Sequence, residues 1–259
     1  MEFFSFLIQN EVAFVWVLVR VASLMVVIPI IGGFGVPPLI KVALIFVVSL
    51  AIFPFARILP QPLETPPLAA GLVGEIMMGL VLGLGFRLVF AAVDLAAEVE
   101  GFQMGFGIGN VFNPLLGQDV SLIGQLRGLV AILIFFAVNA HHTIFEVLVY
   151  SFRRVPPLSF TTSPHLFEHM MRLVAEMFAL GVRIAVPVTL VLILSNIAFG
   201  VLSRIVPQMN ILLFSFPVTT AVGLFVLGAS LSLFAELIRG RMGDLGGVTL
   251  DLLEGMRPP

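Results

Sequence analysis

The chain has 259 residues, of which 59% are hydrophobic and 11% are charged, and its mean hydropathy is +1.15. Because average soluble proteins carry about 25% charged residues, this composition indicates a protein embedded in a membrane or in a membrane-bound assembly. The formal net charge of -2 decides nothing about nucleic acid, but the sequence has no basic cluster that could follow a phosphate backbone, so no nucleic acid partner is expected. The sequence contains no cysteine, which excludes disulfides, iron–sulfur clusters and thiolate zinc sites.

Apolar segments follow one another along the chain, each near or above the ~20 residues that a helix needs to cross the hydrocarbon core. Stretches rich in glycine and proline separate them, and the lysines and arginines of these joints place both termini in the cytoplasm by the positive-inside rule. We therefore predict an all-α fold of about six long membrane-type helices, with kinks at Pro187 and Pro217. The six segments are residues 12–31, 41–58, 68–93, 126–150, 173–202 and 211–237.

Charged residues interrupt three of these apolar segments, and each costs about 2.5 to 3.5 kcal/mol at the centre of a lipid-exposed helix. Three interpretations are open. In the first, the charges pair with each other or reach the helix ends, and in the second they line an ion or substrate pathway. In the third, their helices face other subunits instead of lipid. The third interpretation is favoured, because five such charges are many for a lipid-exposed protein. The five are Arg20, Glu75, Arg87, Glu176 and Arg183.

The third segment carries a ridge of residues that recur every four positions, namely Gly71, Glu75, Gly79, Gly83 and Arg87. Residues at this spacing form one slowly winding row on a helix, and glycines separated by three residues allow a partner backbone to approach closely. The ridge therefore predicts a helix packed against protein.

The segment from Gly101 to Gln118 is uncharged and contains five glycines and three phenylalanines. It has too much glycine for a steady helix and too many large apolar side chains for a solvated loop. In a membrane protein, irregular backbone of this kind is buried in protein or lines a cavity, so the segment suggests a plug. Met104 and the phenylalanines fit core packing as well as a soft seal that reshapes around cargo.

One short pattern matches a known metal chemistry: His165-Leu-Phe-Glu168-His169 has the H-x-x-E-H spacing of a zinc protease. No third ligand follows at a convincing distance, so an exposed polar helix start is the favoured interpretation. The run Gly105-Phe-Gly107-Ile-Gly109 lacks the last glycine and the preceding strand of a dinucleotide site. We predict no catalytic residue, no metal and no cofactor, and hence a protein that is not an enzyme.

A competing hypothesis is a secondary transporter, in which the glycine-rich segment is a broken helix. Its coupling path would consist of Arg20, Glu75, Arg87 and Glu176. Transporters of this kind are commonly built from inverted repeats, which are not visible in this sequence.

Several motifs occur in the order found in one protein family, and by them the chain up to Leu237 resembles the FliR family. These are flagellar export-gate proteins, with SpaR and YscT as their virulence-secretion relatives. The Pro-Gln-Met-Asn turn and the Asn-Pro-x-x-Gly loop are the most specific motifs. The full set is Arg20 with Pro29, Gly35-Val-Pro-Pro38-x-x-Lys41, Glu75-x-x-x-Gly79-x-x-x-Gly83, Glu100-Gly, Asn113-Pro114-x-x-Gly117, Asn139-Ala-His-His142, Pro187, Asn196 and Arg204-x-x-Pro207-Gln-Met-Asn210.

The resemblance implies a core subunit of the export gate of the type III protein secretion apparatus, without catalytic activity. In this family, FliP-like and FliQ-like subunits join the FliR-like subunit in a helical assembly around a pore for unfolded secreted proteins. FlhB-like and FlhA-like export components associate with that gate. The implied location is the bacterial inner membrane, at the flagellar basal body.

The resemblance also implies a domain organisation. Residues 1–165 correspond to a FliP-like helical part, residues 166–237 to a FliQ-like helical hairpin, and residues 238–259 form a polar tail that matches no motif. The hairpin turn is expected at Arg204, Pro207, Gln208, Met209 and Asn210.

In the family, a plug loop lies inside the pore at the position of the glycine-rich segment. We expect its glycines to let it swing aside, Asn113-Pro114 to act as its hinge, and its apolar side chains (Met104, Phe106, Ile108, Val111 and Phe112) to form the seal. The candidate gate residues are Met104, Gly105, Phe106, Gly107, Ile108, Gly109, Asn110, Val111, Phe112, Asn113, Pro114 and Gly117.

Overall fold

The computed structural model describes residues 11–32, 36–56, 65–106, 122–157, 159–206, 208 and 211–256, and within these ranges all regular structure is helical. The predicted all-α class is thereby confirmed. The helices are α1 (Glu11–Val27), α2 (Pro29–Gly32), α3 (Pro38–Ala56), α4 (Thr65–Gln103), α5 (Leu122–Ala137), α6 (Ala140–Arg154), α7 (Pro164–Ile205), α8 (Ile211–Ala229), α9 (Leu231–Gly243) and α10 (Leu245–Gly255).

Two helices are much longer than their apolar segments. Helix α4 has 39 residues and α7 has 42, so at about 1.5 Å per residue their contour lengths are about 58 and 63 Å. The predicted end of the third segment at Val93 was too early because the helix becomes amphipathic there. Asp94 and Glu98 are exposed, whereas Ala96 and Ala97 between them are buried.

The fourth and sixth apolar segments each consist of more than one helix. Helices α5 and α6 are separated at Asn139, whose φ of 57° lies in the left-handed region, and α8 ends before Ser230. Within the described ranges, α3, α4 and α7 are each long and apolar enough to cross a membrane alone. The helices continue through Pro187 and Pro217, where kinks were predicted.

The chain divides into two compact units that alternate along the sequence. Unit 1 comprises Met1–Leu88, Val138–Val174 and Met242–Pro259, and unit 2 comprises Val89–Ala137 and Ala175–Arg241. The boundaries at residues 165 and 237, which follow from the family resemblance, stay predictions.

In unit 1, α1 packs against α3, and α6 packs against both α3 and α10. The buried side chains include Trp16, Leu24 and Met78. Helix α10 lies in the region predicted as a polar tail, yet its Leu252 and Leu253 are buried. The hydroxyl of Ser163 also donates a 2.6 Å hydrogen bond to the carbonyl of Gly255, at the end of that helix.

The core of unit 2 brings together α4, α5, α7 and α8. Its buried residues are Ala97, Met104, Ile123, Val188, Leu192 and Leu227, with Phe106 and Val226 packed against them. Gly181 of α7 permits a close approach to α4, because a Cβ atom there would lie 2.8 Å from Leu95 Cδ2 and 3.1 Å from the carbonyl oxygen of Ala92. This core holds the end of α4 from which the glycine-rich segment continues.

Candidate functional site

A buried ion pair joins α1 and α4 in the interior of unit 1. Arg20 Nε lies 2.5 Å from Glu75 Oε2, and Arg20 Nη2 lies 2.8 Å from Glu75 Oε1. The arginine also donates to Ser151 Oγ at 3.0 Å and to the carbonyl of Val155 at 3.1 Å, and its Cζ lies 3.9 Å from the ring centre of Phe152. Since both charged side chains are almost wholly buried and bonded, neither requires water or a lipid headgroup.

The glycine ridge of α4 brings the backbone of α1 into contact beside this pair. A Cβ atom at Gly79 would lie 1.8 Å from Ser23 Oγ and 2.5 Å from the carbonyl oxygen of Arg20. At Gly83 it would lie 2.9 Å from the carbonyl oxygen of Leu24. Glycine at these positions therefore permits the separation at which Arg20 reaches Glu75.

The other members of the ridge differ in exposure. Gly71 is buried, whereas Arg87, at the far end of the ridge, is half-buried. Helix α1 belongs to the same chain and unit, so part of this ridge contacts protein without any second subunit.

A second buried ion pair, between Glu100 and Arg127, was not predicted. Arg127 Nε donates to Glu100 Oε2 at 2.8 Å and Arg127 Nη2 donates to Glu100 Oε1 at 2.7 Å, while the Arg127 Cζ lies 4.9 Å from the ring centre of Phe234. Both charged side chains are at most 2% exposed. Arg127 lies at the start of the fourth apolar segment and is not among the five charges singled out from the sequence. The available signal was an acidic residue directly before the uncharged segment and an arginine in the next apolar segment, at the end of α4 and the start of α5.

The first residues of the glycine-rich segment form the C-terminal cap of α4. The amide of Phe106 donates to the carbonyl of Gly101 at 3.0 Å, and the amide of Gly105 donates to the carbonyl of Phe102 at 3.1 Å. Gly105 has a φ of 89°. These two bonds with a left-handed glycine constitute a Schellman motif, which explains why glycine is needed at this position.

Met104 packs in the core of unit 2, where it is fully buried. Its carbonyl lies 2.9 Å from the hydroxyl of Thr220, which it shares as a donor with the carbonyl of Phe216. Phe102, by contrast, is 72% exposed. Of the two roles left open for Met104, packing is therefore the one that this structure shows, and any seal must come from residues further along.

Most of the predicted gate lies outside the described residues. This holds for Gly107, Ile108, Gly109, Asn110, Val111, Phe112, Asn113, Pro114 and Gly117, and also for Pro207, Met209 and Asn210 of the predicted hairpin turn. Arg204, in the last turn of α7, and Gln208 are both exposed.

The two predicted charges of α7 do not lie together. Glu176 Oε2 accepts a 2.9 Å hydrogen bond from Arg241 Nη1 at a partly exposed position. Arg183 is exposed. The transporter hypothesis gains no support, since both oxygens of Glu75 are already bonded to Arg20.

The H-x-x-E-H pattern forms an open helix start. His165 Nδ1 lies 3.9 Å from Glu168 Oε2, and both side chains are largely exposed. Among the residues that the structure describes, no three histidine or carboxylate side chains are grouped as metal ligands. The geometry thus favours the exposed helix start over a zinc site.

Replacing Arg20 by lysine should destabilise unit 1 by about 1 to 3 kcal/mol, because an ammonium group cannot reproduce the fork that binds Glu75, Ser151 and Val155 together. Thermal unfolding of the purified protein in detergent measures the change. Arg183→Lys is the matched control and should leave the midpoint unchanged. Equal shifts for both variants would contradict the structural role of the fork.

An all-helical, strongly apolar chain whose buried charges are paired within its own interior is a polytopic membrane-type protein. A family model described as "Bacterial export proteins, family 1" matches residues 12–245. The flagellar biosynthetic protein FliR of Pectobacterium carotovorum is 31% identical over 90% of both chains. That of Bacillus subtilis is 32% identical over 88% of this chain and 89% of its own, and that of Escherichia coli K12 is 26% identical over 92% and 91%. This chain belongs to the FliR family of bacterial export proteins.

Proposed function

We propose that this protein is a core subunit of the flagellar type III export gate, in the bacterial inner membrane at the basal body. FliP-like and FliQ-like subunits would complete a pore for unfolded export substrates, next to FlhB-like and FlhA-like components. The observation that carries the proposal is the capped, ion-paired end of α4, which leads directly into the glycine-rich segment in a chain of an export family. Energy for transport would come from the secretion ATPase and the proton-motive force.

The lengths of the helices support a multi-subunit assembly. The hydrocarbon core is about 30 Å thick, roughly half the contour length of α7. The exposed apolar side chains of α7 therefore extend over more of the helix than lipid alone covers, and other subunits would cover the rest. Those in unit 2 extend over about 40 Å of the helix at 1.5 Å per residue and are Phe178, Val182, Val186, Leu190, Ile193, Leu194, Ile197, Val201 and Ile205.

In the proposed mechanism, residues beyond Phe106 obstruct the pore at rest and move aside for a substrate. The cap at Gly105 and the Glu100–Arg127 pair keep the helix end fixed while the segment moves. Ile108, Val111 and Phe112 would supply the seal, and Asn113-Pro114 the hinge.

Deleting residues 110–114 should make the resting gate leak small ions. The expected result is a several-fold rise in membrane conductance, with the gate still assembled, because a shortened segment no longer fills the pore. Conductance across the membrane of cells that express the gate measures this, and cells lacking the chain provide the baseline. Unchanged conductance in an assembled gate would contradict the gating proposal.

A further inference from the structure

We infer that one face of the C-terminal helices α8 and α9 holds the end of α4 in place and so sets the resting position of the gate. The face consists of Thr220, Gly223, Leu227 and Phe234 and is called here the stem-binding face. The stem is the segment Glu100–Phe106. The inference rests on the proposed gating function and adds to it the residues that control the gate from outside the glycine-rich segment.

The first contact is a hydrogen bond to the backbone of the stem. The hydroxyl of Thr220 lies 2.9 Å from the carbonyl oxygen of Met104 and 2.9 Å from that of Phe216 in its own helix, so its single proton is shared between the two. Met104 directly follows the last residue of α4, where carbonyl groups have no partner within the helix. The amide of Met104 is bonded at 2.9 Å to the carbonyl of Glu100. The last turn of α4 is thereby joined to α8 at its backbone.

The second contact is a close fit between Met104 and Gly223. A Cβ atom at Gly223 would lie 2.6 Å from Met104 Cε and 2.7 Å from Met104 Cγ. These separations are far below van der Waals contact, so the methionine side chain occupies space that any residue larger than glycine would take. One turn further along α8, Leu227 belongs to the same buried core as Met104.

The third contact reaches the ion pair of the stem. The guanidinium of Arg127, bonded to Glu100, faces the ring of Phe234 at 4.9 Å, close enough for a cation–π interaction. Residues 220, 223 and 227 follow the i, i+3, i+7 spacing of one helix face. The stem-binding face therefore has two points of contact with the stem. Phe234 reaches Glu100, at the beginning of the stem, through Arg127, and Thr220 and Gly223 contact Met104 near the end of the stem.

Helix α8 also presents an outward apolar surface, since Phe225 is 77% exposed. The hydrogen bond, the close fit and the aromatic contact together make the stem-binding face the support of the stem, and Thr220, Gly223 and Phe234 are its positioning residues.

Gly223→Val should displace Met104 and raise the resting ion conductance of the assembled gate several-fold. Gly228→Val is the matched control on the same helix, because no atom lies within 4 Å of a Cβ at Gly228, and it should leave conductance unchanged. Adding Met104→Ala to Gly223→Val removes as many heavy atoms as valine adds and should restore the low conductance. Equal conductance for the two valine variants, or no rescue, overturns the inference.

A second variant tests the contact without overpacking. The natural chain has no cysteine, so Met104→Cys combined with Gly223→Cys offers one disulfide across the contact. The bond should form on oxidation and keep the resting conductance at the low value of the natural chain, because it replaces the packing of Met104 against Gly223, and reductant should raise the conductance. Failure of the bond to form, or a conductance that does not differ between the oxidised and the reduced protein, overturns the inference.

Deletion of residues 110–114 separates the two proposals. A leak on deletion with no effect of Gly223→Val leaves the gate proposal standing and removes the role of α8. A deletion without a leak removes the gate proposal itself.

Discussion

Gly79→Ala should destabilise unit 1 by about 3 kcal/mol or more, at the upper end of the cost of overpacking a core. The new methyl carbon would lie 1.8 Å from Ser23 Oγ, 2.5 Å from the carbonyl oxygen of Arg20 and 2.9 Å from the amide nitrogen of Leu24. Two of these atoms belong to the backbone of α1, so the whole helix must move away. That movement also separates Arg20 from Glu75. Unfolding of the purified protein in mild detergent, followed by circular dichroism, measures the loss.

Gly85→Ala is the control for this prediction, because it places the same methyl group on the same helix. Its closest neighbour would be Thr249 Cγ2 at 3.7 Å, an ordinary contact. Alanine is the better helix former by about 1 kcal/mol, so this variant should be neutral or slightly more stable. Comparable destabilisation of the two variants would show that the approach of α1 to α4 is not specific to Gly79.

Glu100→Ala is the second substitution with a large expected effect. It leaves the guanidinium of Arg127 buried without its counter-charge, and removing one partner of a buried pair typically costs about 3 to 5 kcal/mol. The free energy of unfolding in detergent should fall by this amount. Since the pair joins the end of α4 to the start of α5, the resting conductance of the gate should rise as well.

Two comparisons define the origin of that effect. Glu176→Ala breaks a partly exposed pair with Arg241 and should cost at most about 1 kcal/mol. Glu100→Leu combined with Arg127→Met replaces the pair by apolar side chains of similar size and should recover most of the stability. If Glu100→Ala cost no more than Glu176→Ala, the buried pair would not stabilise unit 2.

The helical class and the close approach at the glycine ridge were predictable because each depends on a local pattern. Composition indicates long apolar helices, and the spacing of Gly79 and Gly83 indicates a close helix neighbour. Glycine spacing does not identify that neighbour, which is α1. The same limit applies to Arg20 and Glu75: their unfavourable position in apolar segments shows that they need partners, and only the fold shows that they partner each other.

Other features could not be read from mean hydropathy. Helix α4 continues beyond Val93 to Gln103 because its buried face persists while its exposed face becomes charged. The break at Asn139 depends on a single residue in the left-handed region. Glu100 and Arg127 are 27 positions apart in the sequence, and their contact requires the end of α4 and the start of α5 to lie together.

The composition of the purified gate tests the central claim most directly. After affinity purification through this chain from native membranes, intact-complex mass spectrometry counts the copies of each subunit. We expect a single copy of this chain together with several FliP-like and FliQ-like subunits in one stable complex. Recovery of this chain alone, or as a complex of identical copies without those subunits, would contradict its role as a core subunit of the export gate.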